Sequence, residues 1–165
     1  MKNFFISISL LFIEVTCGYA QNSGGAIPVF NFKQFEYLLH KNNDTVYLIN
    51  FWATWCKPCR EEIPAIERVG SKYQSQKFKV ILVSLDFPNQ LSTGLPSFIQ
   101  KNGIRSKVIM LDDPKQNEWI DKIDKHWAGD IPFTVIYGPG FREFYATSFS
   151  YNTLDSIINL KFSKP

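Results

Sequence analysis

The sequence predicts an α/β domain: a buried sheet with helices on its faces. Two nearly unbroken apolar runs, residues 45–51 and 78–85, have the length and composition of strands covered on both sides. Between them, residues 61–73 place Ile63, Ile66, Val69 and Tyr73 at helical spacing, so the three segments make a strand–helix–strand unit. The chain has 165 residues, 45% of them hydrophobic and 16% aromatic, enough for one domain with a real core. No internal repeat or low-complexity tract divides it.

Each element can be justified in order. Residues 21–28 form a polar, glycine-containing lead of linker composition, and the folded domain is assigned to 29–165. Residues 29–32 read as a first strand. Residues 33–41 read as a helix, with Phe35, Leu38 and Leu39 on one face and Asn42-Asn43-Asp44 as a polar stop. Pro64 should kink the helix that follows the central strand, because a mid-helix proline removes one backbone hydrogen bond. Residues 87–129 are more than a minimal connection needs. They read as a helix at 95–101, a short strand at 107–111, and a helix at 116–127 carrying Trp119, Ile120, Ile123 and Trp127. Gly138-Pro139-Gly140 is a turn between strands at 133–137 and 142–147. Leu154, Ile157 and Ile158 mark a closing helix at 153–160.

The chemistry concentrates where the central strand hands over to its helix, in Asn50-Phe51-Trp52-Ala53-Thr54-Trp55-Cys56-Lys57-Pro58-Cys59-Arg60. Cys56 falls beside the unpaired N–H groups and partial positive charge of a helix N-terminus. A thiolate is favoured there, and the thiolate is the nucleophilic form of cysteine. Pro58 suits the first helical turn, where its missing N–H costs nothing. Lys57 adds a positive charge that pushes the same way. Cys59 lies one turn further on. The pair reads as a dithiol–disulfide couple with an exposed, ionised Cys56 and a less exposed Cys59. Open α/β sheets place their sites at the carboxyl ends of strands, which is where Cys56 falls.

Two plainer readings compete. A structural disulfide closing so short a loop stabilises by roughly 2 kcal/mol at most, a poor staple for a domain of this size. A zinc site needs about four ligands, and His40 and His126, read as ordinary helix residues, show no metal spacing. No cofactor is called for, neither nucleotide, flavin nor metal, because the two sulfurs carry the electrons. With 18 basic and 15 acidic residues, net charge +3, and the basic ones scattered, no nucleic-acid footprint is expected.

The first twenty residues differ from the rest. Lys2 precedes an apolar run from Phe4 to Ile13, and Gly18-Tyr19-Ala20 offers small residues for cleavage. Residues 1–20 are therefore expected to be a secretory signal peptide, too short in its apolar run to span a membrane. Cys17 is discarded if cleavage follows Ala20. Cleavage just before it would leave it to carry a lipid anchor, although Glu14 is a poor match to the apolar residue such signals have there. Either way the mature chain is exported, to a bacterial periplasm or the outer face of the membrane, where disulfides persist.

Trp52-Ala53-Thr54-Trp55-Cys56-Lys57-Pro58-Cys59-Arg60-Glu61-Glu62-Ile63-Pro64 resembles the active-site segment of thioredoxin-fold proteins, and among them the TlpA/ResA-like extracytoplasmic thiol–disulfide oxidoreductases. The resemblance runs from about residue 29 to 160. It implies a mixed central sheet flanked by helices, with the strand–helix of 87–129 as an insertion before a cis-proline strand. It assigns Pro132 as that cis-proline and Ile131 as the backbone that pairs with an extended substrate. Trp52 reads as packing and Trp55 as substrate contact. Asn50 stands where thioredoxin has a buried Asp, and Asn takes no proton at neutral pH. The group that deprotonates Cys59 is then open, with Asp86 a candidate, while Glu61 and Glu62 suit the helix N-terminus as structural residues. The resemblance favours a reductase acting on protein disulfides or dithiols, served by an upstream redox partner, with cytochrome c maturation as one setting.

Rivals stay in view. An oxidase or isomerase shares the architecture and differs in potential. A peroxiredoxin needs Thr three residues before its reactive cysteine, where this chain has Ala53. A non-catalytic binding module, such as a copper carrier or a chaperone with a peptide groove, is the rival from another class; copper carriers of this fold space their cysteines by three and add a late His, and neither is present here.

Overall fold

A computed structural model of the chain describes residues 26–163. The signal-peptide assignment, Cys17 and most of the polar lead lie outside the described residues. A single six-stranded sheet organises the fold, in the order β1-β4-β3-β2-β5-β6. The strands are β1 (Val29–Phe30), β2 (Val46–Trp52), β3 (Phe78–Ser84), β4 (Lys107–Leu111), β5 (Phe133–Gly138) and β6 (Phe141–Tyr145). β1, β4, β3 and β2 run parallel, and β5 and β6 continue the sheet antiparallel from β2. This is the mixed sheet expected from the resemblance.

All seven residues of β2 are buried because both faces of the sheet are covered. Leu48 and Trp52 face the layer of α2 (Lys57–Lys72) and α5 (Tyr151–Phe162), among Ile63, Ile66, Leu154 and Ile158. Tyr47, Ile49 and Phe51 face the other layer, with Phe35 of α1 (Phe32–Phe35) and Trp119 and Ile123 of α4 (Gln116–Ile123). Each fully buried Leu, Ile or Phe contributes about 1.5–3 kcal/mol by leaving water. The period-2 alternation along β2 thus feeds two cores at once.

The long segment after β3 supplies α3 (Gly94–Lys101), β4 and α4. β4 inserts between β1 and β3. The strand of the expected insertion therefore lies inside the sheet.

Several boundaries differ from expectation for local reasons. The first strand has two residues because Asn31 ends it, its side chain accepting from the Gln34 N–H at 2.9 Å while the Gln34 side chain accepts from the Asn31 N–H. The helix that follows is one α-turn continued by a 3₁₀ turn, Glu36–Leu39. α2 starts at Lys57, four residues earlier than the apolar periodicity, and continues through Pro64 to Lys72. α4 stops at Ile123, where Asp124 turns extended and its carboxylate accepts from the His126 N–H at 3.2 Å. Such a side chain offers the backbone an alternative to the helix. His126 is therefore an exposed turn residue outside the helix. Trp127 is buried all the same, stacked on Phe133 at 4.4 Å between ring centroids.

Candidate active site

The end of β2 delivers Ala53, Thr54 and Trp55 into a turn closed by the Cys56 N–H donating to the Ala53 carbonyl at 3.1 Å. Cys56 then caps α2 with extended backbone angles. Its Sγ accepts from the Cys59 N–H at 3.3 Å, the place a Ser or Asp oxygen usually takes at a helix start. Cys56 and Cys59 are joined as a disulfide. The same amide and the positive end of α2 would stabilise a thiolate on Cys56 once the bond is reduced.

Cys56 is 6% exposed and Cys59 is fully buried, so the expectation of a freely exposed Cys56 is corrected. The oxidised sulfur packs into the α2-side core and is partly roofed by Ile131. The Ile131–Pro132 peptide is cis, and the carbonyl oxygen of that peptide lies 3.8 Å from Cys56 Sγ. A disulfide sulfur carries no hydrogen, so this is a contact and not a hydrogen bond. Trp55, by contrast, is 57% exposed. Lys57 projects into solvent and sits 3.8 Å from a Glu61 carboxylate oxygen, a surface pair weakened by screening.

Asp86, the candidate for deprotonating Cys59, has its carboxylate engaged by other groups. Its carboxylate accepts from the Thr54 N–H at 3.0 and 3.1 Å, from Thr54 Oγ1 at 2.6 Å and from Ser84 Oγ at 2.7 Å. Three donor groups, the Thr54 N–H, the Thr54 hydroxyl and the Ser84 hydroxyl, make it a clamp between the loop after β2 and the end of β3, and none of those bonds reaches Cys59.

Glu62 is the residue sequence reasoning misplaced. Expected as a structural charge at the helix start, it is 1% exposed. Asn50 Nδ2 donates to its Oε1 at 2.8 Å, and the Phe149 N–H donates to its Oε2 at 2.9 Å. Burial outweighs both bonds and pushes its carboxyl up to about 7. A signal was available: 59, 62, 63, 66 and 69 share one helical face, and the other four are Cys, Ile, Ile and Val. Asn50 also donates to Thr134 Oγ1 at 2.9 Å, while its own Oδ1 is buried with no partner among the described residues. Among the described residues no three of His, Cys, Asp and Glu gather as metal ligands, and no helix is long and apolar enough to cross a membrane.

A mixed sheet of this order, with a Cys-x-x-Cys disulfide at the end of its central strand and a cis-proline peptide against the outer sulfur, defines the thioredoxin-fold class. Within it the chain belongs to the AhpC/TSA family, whose model matches residues 24–140. It is similar to the thioredoxin-like protein YneN of Bacillus subtilis, 35% identical over 41% of this chain and 45% of that protein. It is also similar to the thiol-disulfide oxidoreductase ResA of Oceanobacillus iheyensis, 31% identical over 38% of this chain and 36% of that one. The chain thus spans less than half the length of each. A thioredoxin-related protein from Neisseria meningitidis serogroup B has the same fold, with TM-score 0.62 at 22% identity over 75% of this chain and 90% of that one.

Proposed function

We propose that this protein is an exported thiol–disulfide oxidoreductase that reduces protein disulfides through Cys56 and Cys59. The observation that carries the reading is the disulfide at the N-terminus of α2, with the Cys59 amide aimed at Cys56 Sγ. Reduced Cys56 attacks one sulfur of a partner disulfide; a Cys56–partner disulfide forms and the partner's other sulfur leaves as thiolate. Cys59 passes its proton to the Glu62 carboxylate one helical turn away and attacks Cys56 Sγ. That restores the Cys56–Cys59 bond and expels the partner's second sulfur. The partner has gained two electrons, which an upstream dithiol returns to the pair by the same exchange. Glu62 suits the proton step because a carboxyl near 7 both takes and releases a proton at neutral pH.

Asn50 holds that carboxyl in place, and Asp86 positions the loop that presents Cys56. Ile131 offers its backbone to the partner chain, Pro132 covers the sulfur, and Lys57 and Pro58 bias the helix start toward thiolate. The domain layout proposed is a signal peptide at 1–20, a lead at 21–28 and the catalytic domain at 29–165. Export rests on the basic, apolar and small-residue pattern of that first segment. The TlpA/ResA resemblance supports cytochrome c maturation as one setting.

A Cys59→Ser variant should accumulate a disulfide-linked complex with its partner, released by reductant and missing when Cys56→Ala is added. Biological function that survives Cys56→Ala would replace this reading with a non-catalytic binding module. Equilibration with glutathione sets the direction. A potential nearer thioredoxin's, about −270 mV, supports reduction, and one near the roughly −120 mV of strong oxidants makes the protein an oxidase.

A further inference from the structure

Two of the exposed large apolar side chains among the described residues stand together beside the disulfide. Trp55 is 57% exposed and Phe87 64% exposed, with ring centroids 6.5 Å apart and planes 26° from parallel. They come from different strand exits. Trp55 follows β2 and directly precedes Cys56, and Phe87 follows β3. Apolar rings left in water forgo about 25 cal/mol for each Å² that burial would remove.

The stack is held from beneath. Thr54 precedes Trp55 and Asp86 precedes Phe87, and Asp86 accepts three hydrogen bonds from Thr54 at 2.6–3.1 Å and a fourth from Ser84 at 2.7 Å. A buried carboxylate thus fixes the two rings against each other from one residue below each. Two solvated aromatics on a rigid base are the arrangement expected of a contact surface.

Building on the redox role of Cys56, we propose that Trp55 and Phe87 form one docking ledge for a bulky apolar residue beside the partner's reacting cysteine, and that Phe87 determines this specificity. The occupant follows from the chemistry next door. A partner whose sulfur reaches Cys56 Sγ must lay the residues flanking its cysteine over the neighbouring Trp55. A flanking Leu or aromatic side chain removes apolar area on both partners, whereas a flanking Ser or Asp leaves the rings wet or loses its own hydration.

The test uses a full-length Cys59→Ser parent and two peptides, each with one cysteine blocked as a mixed disulfide with thionitrobenzoate. The peptides differ only in the flanking residue, Leu or Ser. The Cys56 thiolate attacks the peptide sulfur, a Cys56–peptide disulfide forms, and coloured thionitrobenzoate leaves with the electron pair. Below saturation the Leu peptide should react about tenfold faster. Phe87→Ser in the same parent should remove most of that preference, and Phe87→Leu should restore part of it. Equal rates in the parent, or an unchanged preference in Phe87→Ser, overturn the ledge. If the ledge holds but the two-cysteine protein never releases captured peptide as free thiol, the ledge stands and the reductase reading falls.

Discussion

Glu62 shows how a side chain's chemistry is set by what folds around it. Its carboxyl sits in the α2-side core, anchored by Asn50 and the Phe149 amide, and burial raises it from 4.5 to about 7. Between those values the folded protein binds a proton that the unfolded chain has lost. Stability is therefore fully present below about pH 4.5 and falls as pH rises through about 7. At about 1.4 kcal/mol per pH unit the loss is roughly 3 kcal/mol. Urea unfolding of wild type and Glu62→Gln at pH 4.5, 6 and 7.5 should reveal that slope only in the wild type. Comparing the two proteins cancels the opposite contribution of the surface acids Asp44 and Asp155, whose carboxyls are lowered mainly by hydrogen bonds from Lys77 and Lys72. Glu62→Gln should also slow turnover of the mixed disulfide while leaving its formation at Cys56 unaffected. For Cys56 itself, alkylation of the reduced Cys59→Ser protein should have a pH midpoint at or below about 7.5, against about 8.5 for a free thiol. A midpoint at the ordinary value would remove the nucleophile on which the proposed function rests.

At the scale of elements, the ends of helices and strands are set by single polar side chains. Ser150 caps α5, its Oγ accepting from the Thr153 N–H at 3.2 Å. Ser150→Ala should cost about 1 kcal/mol, measured as a shift in denaturant midpoint. The Asp86 clamp carries more. Asp86→Ala removes the partner of the half-buried Thr54 amide and of the buried Ser84 hydroxyl and should cost about 1–3 kcal/mol, with a change in near-ultraviolet dichroism as Trp55 and Phe87 lose their fixed spacing. The existence of β2, α2, β3 and β4 was legible from apolar periodicity, because each buries a face whose spacing matches its geometry. Their ends were less legible. α2 begins at Lys57 because Cys56 caps it; Pro58 marked that first turn, but the apolar periodicity takes over only from Ile63. α4 ends at Ile123 because Asp124 recruits the His126 amide, although Trp127 continues the apolar spacing and is buried from a turn instead.

The whole molecule depends on α5 closing over α2. Leu154 and Ile158 are fully buried there, Tyr73 stacks on Phe162 with ring centroids 5.6 Å apart, and Lys72 pairs with Asp155 at 2.7 Å. That closure also brings the Phe149 amide to Glu62, so packing at the far end of the chain helps set the proton affinity of that buried carboxyl. Leu154→Ala should lower stability by about 2–5 kcal/mol, read from urea unfolding.

The order of strands and helices, two layers over one buried strand, and a cysteine couple at a helix start were all determined by the sequence alone, since periodicity, capping and spacing are local. Tertiary structure decided what those residues meet. It tied Asp86 to Thr54, buried Glu62, covered Cys56 and brought Phe87 to Trp55. Each of these pairs residues from different strand exits or layers, and burial and hydrogen bonding across such distances are fixed only when the sheet closes and both faces are covered.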